Sequence, residues 1–117
     1  MIITVKWDVP EQLLRDLLVT AVEGGSDYWA EYRRVMRDAE LNILSVHVRE
    51  QEASDQGGRH QHADITPASM ALGLERLAQA SFPAALTHLA NALKEEGDAE
   101  TADVVLQMAM FGKLIYG

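Results

Sequence analysis

The stretch from Glu23 to Trp29 (EGGSDYW) concentrates groups that can bind a ligand. Adjacent glycines let a ligand approach the backbone closely, and their neighbouring amide N–H groups can hold an anion. Two aromatic rings can stack on a base, while a hydroxyl and a carboxylate can hold polar groups. Because aromatic and polar groups converge in ligand pockets, we predict a recognition site here. Its members are Gly24, Gly25, Ser26, Asp27, Tyr28 and Trp29.

The same residues have a purely structural interpretation, in which the glycines end a helix and the aromatic rings enter the core. Under the functional interpretation, the rings of Tyr28 and Trp29 face outward beside reachable amide hydrogens. If the ligand carries phosphate, Arg33 and the neighbouring Arg34 are the side chains expected to meet it.

Five acidic residues fall within nine positions further along the chain: Glu95, Glu96, Asp98, Glu100 and Asp103. They can imitate phosphates and enter a basic cleft of a partner. They can equally be solvated residues at helix ends, where the helix dipole favours negative charge. We include Glu100 and Asp103 in the predicted binding site.

The most metal-like feature is a His-x-His pair followed by a carboxylate, at His60, His62 and Asp64. Imidazole and carboxylate groups ligate divalent ions, and His47 or His88 can join them in space. However, the pair falls in a polar segment and matches no strong zinc signature. A solvated loop is therefore favoured over a metal site, and no metal or other cofactor is predicted.

The composition favours binding over catalysis. The 117 residues fit one domain, predicted to span residues 1–117. There is no cysteine, so a disulfide framework and a thiolate nucleophile are excluded. The sequence contains neither a P-loop nor a G-x-S-x-G elbow. The chain is therefore not predicted to be an enzyme.

The net charge of −8, from 18 acidic residues against 10 lysines and arginines, bears on the partner. Direct nucleic-acid binding needs clustered cations, so it is not predicted. An acidic surface favours solubility or a basic protein partner. No apolar run approaches the ~20 residues that span a bilayer, and residues 1–7 do not resemble a signal peptide. A location in the cytoplasm, without a membrane partner, is expected.

Three strands are predicted from alternation and β-branched content. Residues 1–7 form the first, and residues 41–49 form the clearest one, with Leu44, Val46 and Val48 on one face. Residues 28–32 are assigned to a strand that pairs with it, although a helix capped by Ser26 also fits this region. Residues 50–64 are almost free of apolar side chains and are predicted to form a loop.

Four amphipathic helices complete the prediction. The first begins after Asp8 and Pro10 and ends at the paired glycines. The second begins at Thr66-Pro67, and the third follows the break at 81–83 and ends at Gly97, with Leu86, Leu89, Ala90 and Leu93 in register. Asp98 caps the last, which carries Val104, Val105, Met108, Phe111 and Ile115. The predicted fold class is therefore α+β: about three antiparallel strands, packed by one N-terminal helix and three C-terminal helices.

Two stretches resemble a widespread family of small bacteriophage and prophage proteins. One is AVEGGSDYW, at 21–29, and the other is DAETADVVLQ, at 98–107, continuing to Phe111-Gly112 and Tyr116-Gly117. In that family an EGGSxYW turn after an amphipathic helix is followed by a C-terminal ETAD…LQ…FG…YG helix. The resemblance implies a phage context and no catalytic residues.

The leading hypothesis is a phage-encoded protein that inhibits a host defence or regulatory factor by occupying it. An alternative is an oligomeric sponge that sequesters a nucleotide immune signal, with pockets between subunits of a homo-oligomer. A second alternative is a metal-dependent hydrolase that uses His60, His62 and Asp64. The partner is accordingly a host protein or a nucleotide-type small molecule.

Overall fold

In the computed structural model, residues 1–3, 6–95 and 98–117 are described. The elements are α1 (Glu11–Thr20), a π-helical turn (Ala21–Gly25), β1 (Ala30–Arg37), β2 (Ile43–Glu50), β3 (His62–Ile65), α2 (Pro67–Gln79), α3 (Ala85–Leu93) and α4 (Ala99–Phe111). The three strands form one antiparallel sheet in the order β1-β2-β3. The predicted α+β class, with one helix before the sheet and three after it, is confirmed.

The sheet has one apolar face and one polar face. Val46, Val48 and Ile65 are buried on the inner face. On the outer face, His47 lies opposite Asp64, and its Nδ1 is 2.8 Å from the carboxylate. The alternation along β2 thus directs one side of the strand to the core and the other to solvent.

The first predicted strand and the predicted loop at residues 50–64 are corrected. Residues 1–3, 6 and 7 have no regular structure, and Met1, Ile2 and Ile3 are exposed, so the first strand is wrong for these residues, while Thr4 and Val5 lie outside the described residues. The third strand is instead β3, which begins at His62 inside the predicted loop. Its backbone pairs with β2. The strand has only four residues, of which His62 and Asp64 are polar and exposed, so its hydrophobic periodicity is too short to be recognised in the sequence.

The region assigned to residues 28–32 does contain a strand, but it begins at Ala30 and runs to Arg37. Register shifts interrupt its pairing with β2 near the turn that joins the two strands, so the simple alternation of buried and exposed residues fails there. There Ile43 is buried, whereas Leu44, predicted to share a face with Val46, is 46% exposed.

Helix α4 is the central element, because every residue from Thr101 to Met108 is buried. It packs against the π-helical turn and all three other helices. Asp98 caps it by accepting a hydrogen bond from the Thr101 amide, and Gly112, with φ of 72°, ends it, so Ile115 lies beyond the helix. The sequence predicts a single apolar face for this helix, whereas the structure buries its polar side as well, because Thr101, Asp103 and Gln107 form hydrogen bonds in the interior.

The predicted stripe of α3 is partly wrong. Leu86 is 72% exposed, while Ala85 and Ala92 are the buried residues of this helix. Gly97, the predicted helix end, lies outside the described residues. No helix among the described residues is long and apolar enough to cross a bilayer.

The crossing of α2 over α4 depends on Gly73. A Cβ atom at this position would lie 2.4 Å from the Val105 carbonyl oxygen. We expect Gly73→Ala to destabilise the protein by about 1–3 kcal/mol in urea unfolding, since steric overlap with rigid backbone exceeds the gain in helix propensity. Gly57→Ala is the control, because its Cβ would meet nothing closer than 3.6 Å. A higher midpoint for Gly73→Ala would contradict the close crossing.

Candidate functional site

The carboxylate of Asp103, which is 5% exposed, is the centre to which the EGGSDYW turn converges. Its Oδ1 accepts hydrogen bonds from Ser26 Oγ and Trp29 Nε1, each at 2.7 Å. Its Oδ2 accepts from Tyr28 Oη at 2.5 Å and from Gln107 Nε2 at 3.1 Å. Four donors from uncharged side chains therefore satisfy both oxygens, so that no acceptor of this buried group is left without a partner.

The backbone of the turn places these donors. The Ser26 amide donates to the Ala21 carbonyl at 3.0 Å and closes the π-helical turn, and the Ala30 amide donates to the Ser26 carbonyl at 2.9 Å. Gly25 sits so close to α4 that a Cβ would lie 2.6 Å from the Ala99 carbonyl oxygen. This glycine is needed for close approach to α4.

Gln107, one helical turn after Asp103, holds the C-terminal segment (residues 112–117) in place by hydrogen bonds to its backbone. Its Oε1 accepts hydrogen bonds from the backbone amides of Ile115 (3.0 Å) and Tyr116 (2.9 Å). Its Nε2 donates to the Tyr116 carbonyl at 3.1 Å as well as to Asp103. A single buried amide thus ties the segment to the same network.

The Tyr116 ring covers the indole of Trp29. The two rings are parallel within 5°, with centroids 5.2 Å apart, and Phe111 packs on the indole at 5.4 Å. The Tyr116 hydroxyl donates to the carboxylate of Glu50, a residue that is wholly buried at the end of β2. The Glu50 carboxylate also accepts from the Gln61 amide at 2.7 Å. The network therefore connects α4 with the sheet.

Ionisation of these groups is biased by their surroundings. Burial acts to raise the pKa of Glu50, but hydrogen bonds from Ser54, Tyr116 and Gln61 outweigh it, and the pKa lies below its usual value. Burial and the bond to Glu50 raise the pKa of Tyr116 to about 12. Burial and the neighbouring Asp103 likewise raise the pKa of Tyr28.

A groove of about 580 Å³ opens above this network. Its walls combine glycine backbone, the Tyr28 ring, the His88 imidazole, the Glu100 carboxylate and apolar side chains. The lining residues are Gly24, Gly25, Tyr28, Ala84, His88, Ala99, Glu100, Asp103, Val104, Leu114, Ile115, Tyr116 and Gly117. The His88 ring is held by Thr101, with Nδ1 3.1 Å from Oγ1.

The groove brings together five of the residues predicted from sequence: Gly24, Gly25, Tyr28, Glu100 and Asp103. The expectation that both aromatic rings face outward is wrong for Trp29, which is 2% exposed, whereas Tyr28 is 54% exposed. The cause is the Asp103 carboxylate, which draws the indole N–H inward.

The other predicted residues lie outside the groove. Ser26 is fully buried beneath it. Asp27 is exposed, and its carbonyl accepts a hydrogen bond from Gln51 Nε2 at 2.7 Å. Arg33 lies on β1, where it contacts Glu31 at 3.4 Å. Arg33 is therefore not positioned to serve a ligand in the groove.

The sequence patterns predict no role for Gln107, Tyr116 and Glu50, and they place His88 only among the possible metal ligands. Gln107 and Tyr116 stand inside the C-terminal pattern that resembles the phage family, and that pattern was the available signal for them. For Glu50, at the start of a polar segment, no local signal distinguishes a buried acid from a solvated one.

His60 and His62 of the metal-like segment have different neighbours. The His60 Nδ1 lies 2.9 Å from the Glu50 carbonyl, and the His62 ring is 5.1 Å from that of His47, which bonds Asp64. Among residues 1–3, 6–95 and 98–117, no group of three or more potential ligands could hold a metal ion.

Comparison with known proteins adds no family: the chain matches no family model, and no curated protein or solved structure is significantly similar to it.

Removal of the central carboxylate should be costly. We expect Asp103→Ala to lower the free energy of unfolding by about 3–5 kcal/mol, because several buried donors lose their acceptor. Denaturant unfolding followed by tryptophan fluorescence measures this directly. Glu100→Ala, an exposed acid one turn earlier on α4, should stay within about 0.5 kcal/mol of wild type. Equal effects for the two variants would contradict the central role of Asp103.

Stability should fall at both extremes of pH. Because the folded pKa of Glu50 is lowered, its contribution is complete above the usual 4.5 and is lost as pH falls through the folded value. Because the folded pKa of Tyr116 is raised to about 12, its contribution is complete below 10.0 and is lost as pH rises through 12. In melting curves across pH, Glu50→Gln should flatten the acid limb, while Glu52→Gln, at an exposed neighbour, should not.

Proposed function

We propose that this chain is a binding protein of the phage type that inhibits a host defence or regulatory factor by occupying it. The groove between the EGGSDYW turn and α4 is the recognition site. The observation that carries the proposal is that both sequence segments resembling the phage family meet at this one groove, around Asp103.

The charge of the groove favours a basic partner. Glu100 is exposed at its wall, and no lysine or arginine lines it in the part of the chain that the structure describes. A phosphate would find no cation there, and Trp29 is not available to stack on a base. These features favour a positively charged side chain of a host protein over the nucleotide ligand of a sponge.

The rim also offers apolar contact area. Tyr28 is half exposed, and Leu114 and Ile115 are 38% and 37% exposed beside it. A central aromatic anchor surrounded by aliphatic side chains is typical of residues that dominate interface energies.

The lining is held rigidly, which supports tight binding. The Tyr28 hydroxyl is fixed by Asp103, and the backbone of Ile115 by Gln107. Side chains that are already ordered lose little entropy when a partner binds, so more of the contact energy appears as affinity.

The test uses a partner captured from lysate of a bacterial host, identified by mass spectrometry and purified. We expect Glu100→Lys to weaken its binding by 10-fold or more, because the substitution places a cation against a basic surface. Glu40→Lys, the same change at an exposed position outside the groove lining, should bind like wild type.

Added salt provides an independent check. Affinity for a basic partner should fall as ionic strength rises from low to physiological values, since the attraction is screened. Equal affinity of both lysine variants, or binding insensitive to salt, would overturn the groove as recognition site. A nucleotide that raises the melting temperature, with no protein captured, would favour the sponge instead.

A further inference from the structure

The groove above the Asp103 network holds an exposed aromatic ring beside an exposed carboxylate. The Tyr28 ring is half exposed, although its hydroxyl is bound to Asp103. Glu100 lines the same groove and is exposed, and no ion pair holds it among the residues described. Burial and the hydrogen bond to Asp103 raise the pKa of Tyr28, and the charge of Glu100 adds to the rise, so this carboxylate lies close to the phenol.

The rest of the lining is largely apolar. Val104, Leu114 and Ile115 contribute aliphatic side chains to the groove, and the last two are partly exposed. A ligand side chain with a long aliphatic stem and a cationic end uses both parts of this lining. Its stem packs on the aliphatic wall while its charged end reaches Glu100. Only arginine and lysine have this shape and charge.

The exposed ring discriminates between these two side chains. The guanidinium group of arginine is planar, so it can stack on an aromatic face while its N–H groups donate to a carboxylate. The ammonium group of lysine has no flat face to stack. It is also more strongly hydrated, so its transfer from water into a largely apolar groove costs more free energy. A ring and a carboxylate on one groove therefore favour arginine.

We propose that the groove takes an arginine side chain of the partner, with the guanidinium group stacked on Tyr28 and paired with Glu100. This inference rests on the proposed function, because it names the chemical group that enters the same recognition site. Helix α4 begins at this groove, and the positive end of its dipole opposes a bound cation. The carboxylates of Asp98, at the helix cap, and Glu100, in the first turn, offset that effect.

The probes are three capped alanine pentapeptides with arginine, lysine or norleucine at the central position. Each is titrated at low ionic strength into isotope-labelled protein, and NMR reports which backbone amides shift and the dissociation constant. We expect the arginine peptide to shift amides at 24–29, 99–104 and 114–117, the segments that line the groove. It should bind about 5-fold or more tightly than the lysine peptide, because a cation–π contact is added. The norleucine peptide, which has no charge, should bind most weakly. Equal affinities for arginine and lysine, or no saturable shift with arginine, rule the inference out.

Variants separate the two proposed contacts. Glu100→Gln keeps the size of the side chain and removes its charge, so it should weaken binding of the arginine peptide about 3-fold or more. Glu40→Gln, at an exposed acid outside the groove lining, should bind like wild type. Tyr28→Leu should remove the preference for arginine over lysine, whereas Tyr28→Phe, which retains the ring, should preserve it. Both changes delete the hydroxyl that binds Asp103, so their comparison cancels any effect of the network. A preference that survives in Tyr28→Leu contradicts stacking on the ring.

Failure of this inference and failure of the proposed function give different results. If the captured host protein loses affinity for Glu100→Lys while the arginine and lysine peptides bind alike, the groove recognises another group and only the inference is wrong. If the arginine peptide binds in the groove with the expected preference but does not compete with the captured protein, the groove accepts arginine and the proposed function is wrong.

Discussion

The buried carboxylate of Asp103 is the constraint on which the rest of the structure depends. A polar group is tolerated inside the protein only when its hydrogen-bonding capacity is satisfied, and here four neutral donors satisfy the two oxygens of Asp103. Three of them come from the turn that follows the π-helical segment, and the fourth comes from Gln107. The need to satisfy one side chain therefore fixes the position of the turn against α4 and, through Gln107, the path of the C-terminal segment.

The groove above the network, lined by Tyr28 and Glu100 among others, is a by-product of that arrangement. Its floor is the network itself, and its walls are the glycine backbone on one side and the C-terminal segment on the other. The residues of the EGGSDYW turn accordingly divide by role. Ser26 and Trp29 are buried beneath the floor of the groove. Tyr28 belongs to both the floor and the surface, since its hydroxyl is bound to Asp103 while its ring remains half exposed. A short sequence pattern can thus both fill the interior and line a surface groove.

The sequence indicated the helices, the clearest strand and the cluster around the paired glycines because each has a local signal. Periodicity marks α1 and α2, and Thr66 and Asp98 mark helix starts. What local patterns could not supply is pairing across the chain: Asp103 is 77 positions from Ser26, and Tyr116 is 66 from Glu50. For the same reason Trp29 was expected outward and β3 was missed, since an indole's acceptor and a short strand's partner are defined only by the tertiary structure.

The way Gln107 holds the C-terminal segment leaves part of that segment free to diversify. Within this segment the amide contacts only backbone atoms of residues 115 and 116, so these hydrogen bonds do not depend on the side chain at Leu114, nor on that at Ile115 as long as residue 115 keeps its backbone N–H. Both side chains face the groove. Substitutions at these two positions therefore change the wall of the groove while the hydrogen bonds beneath it stay in place.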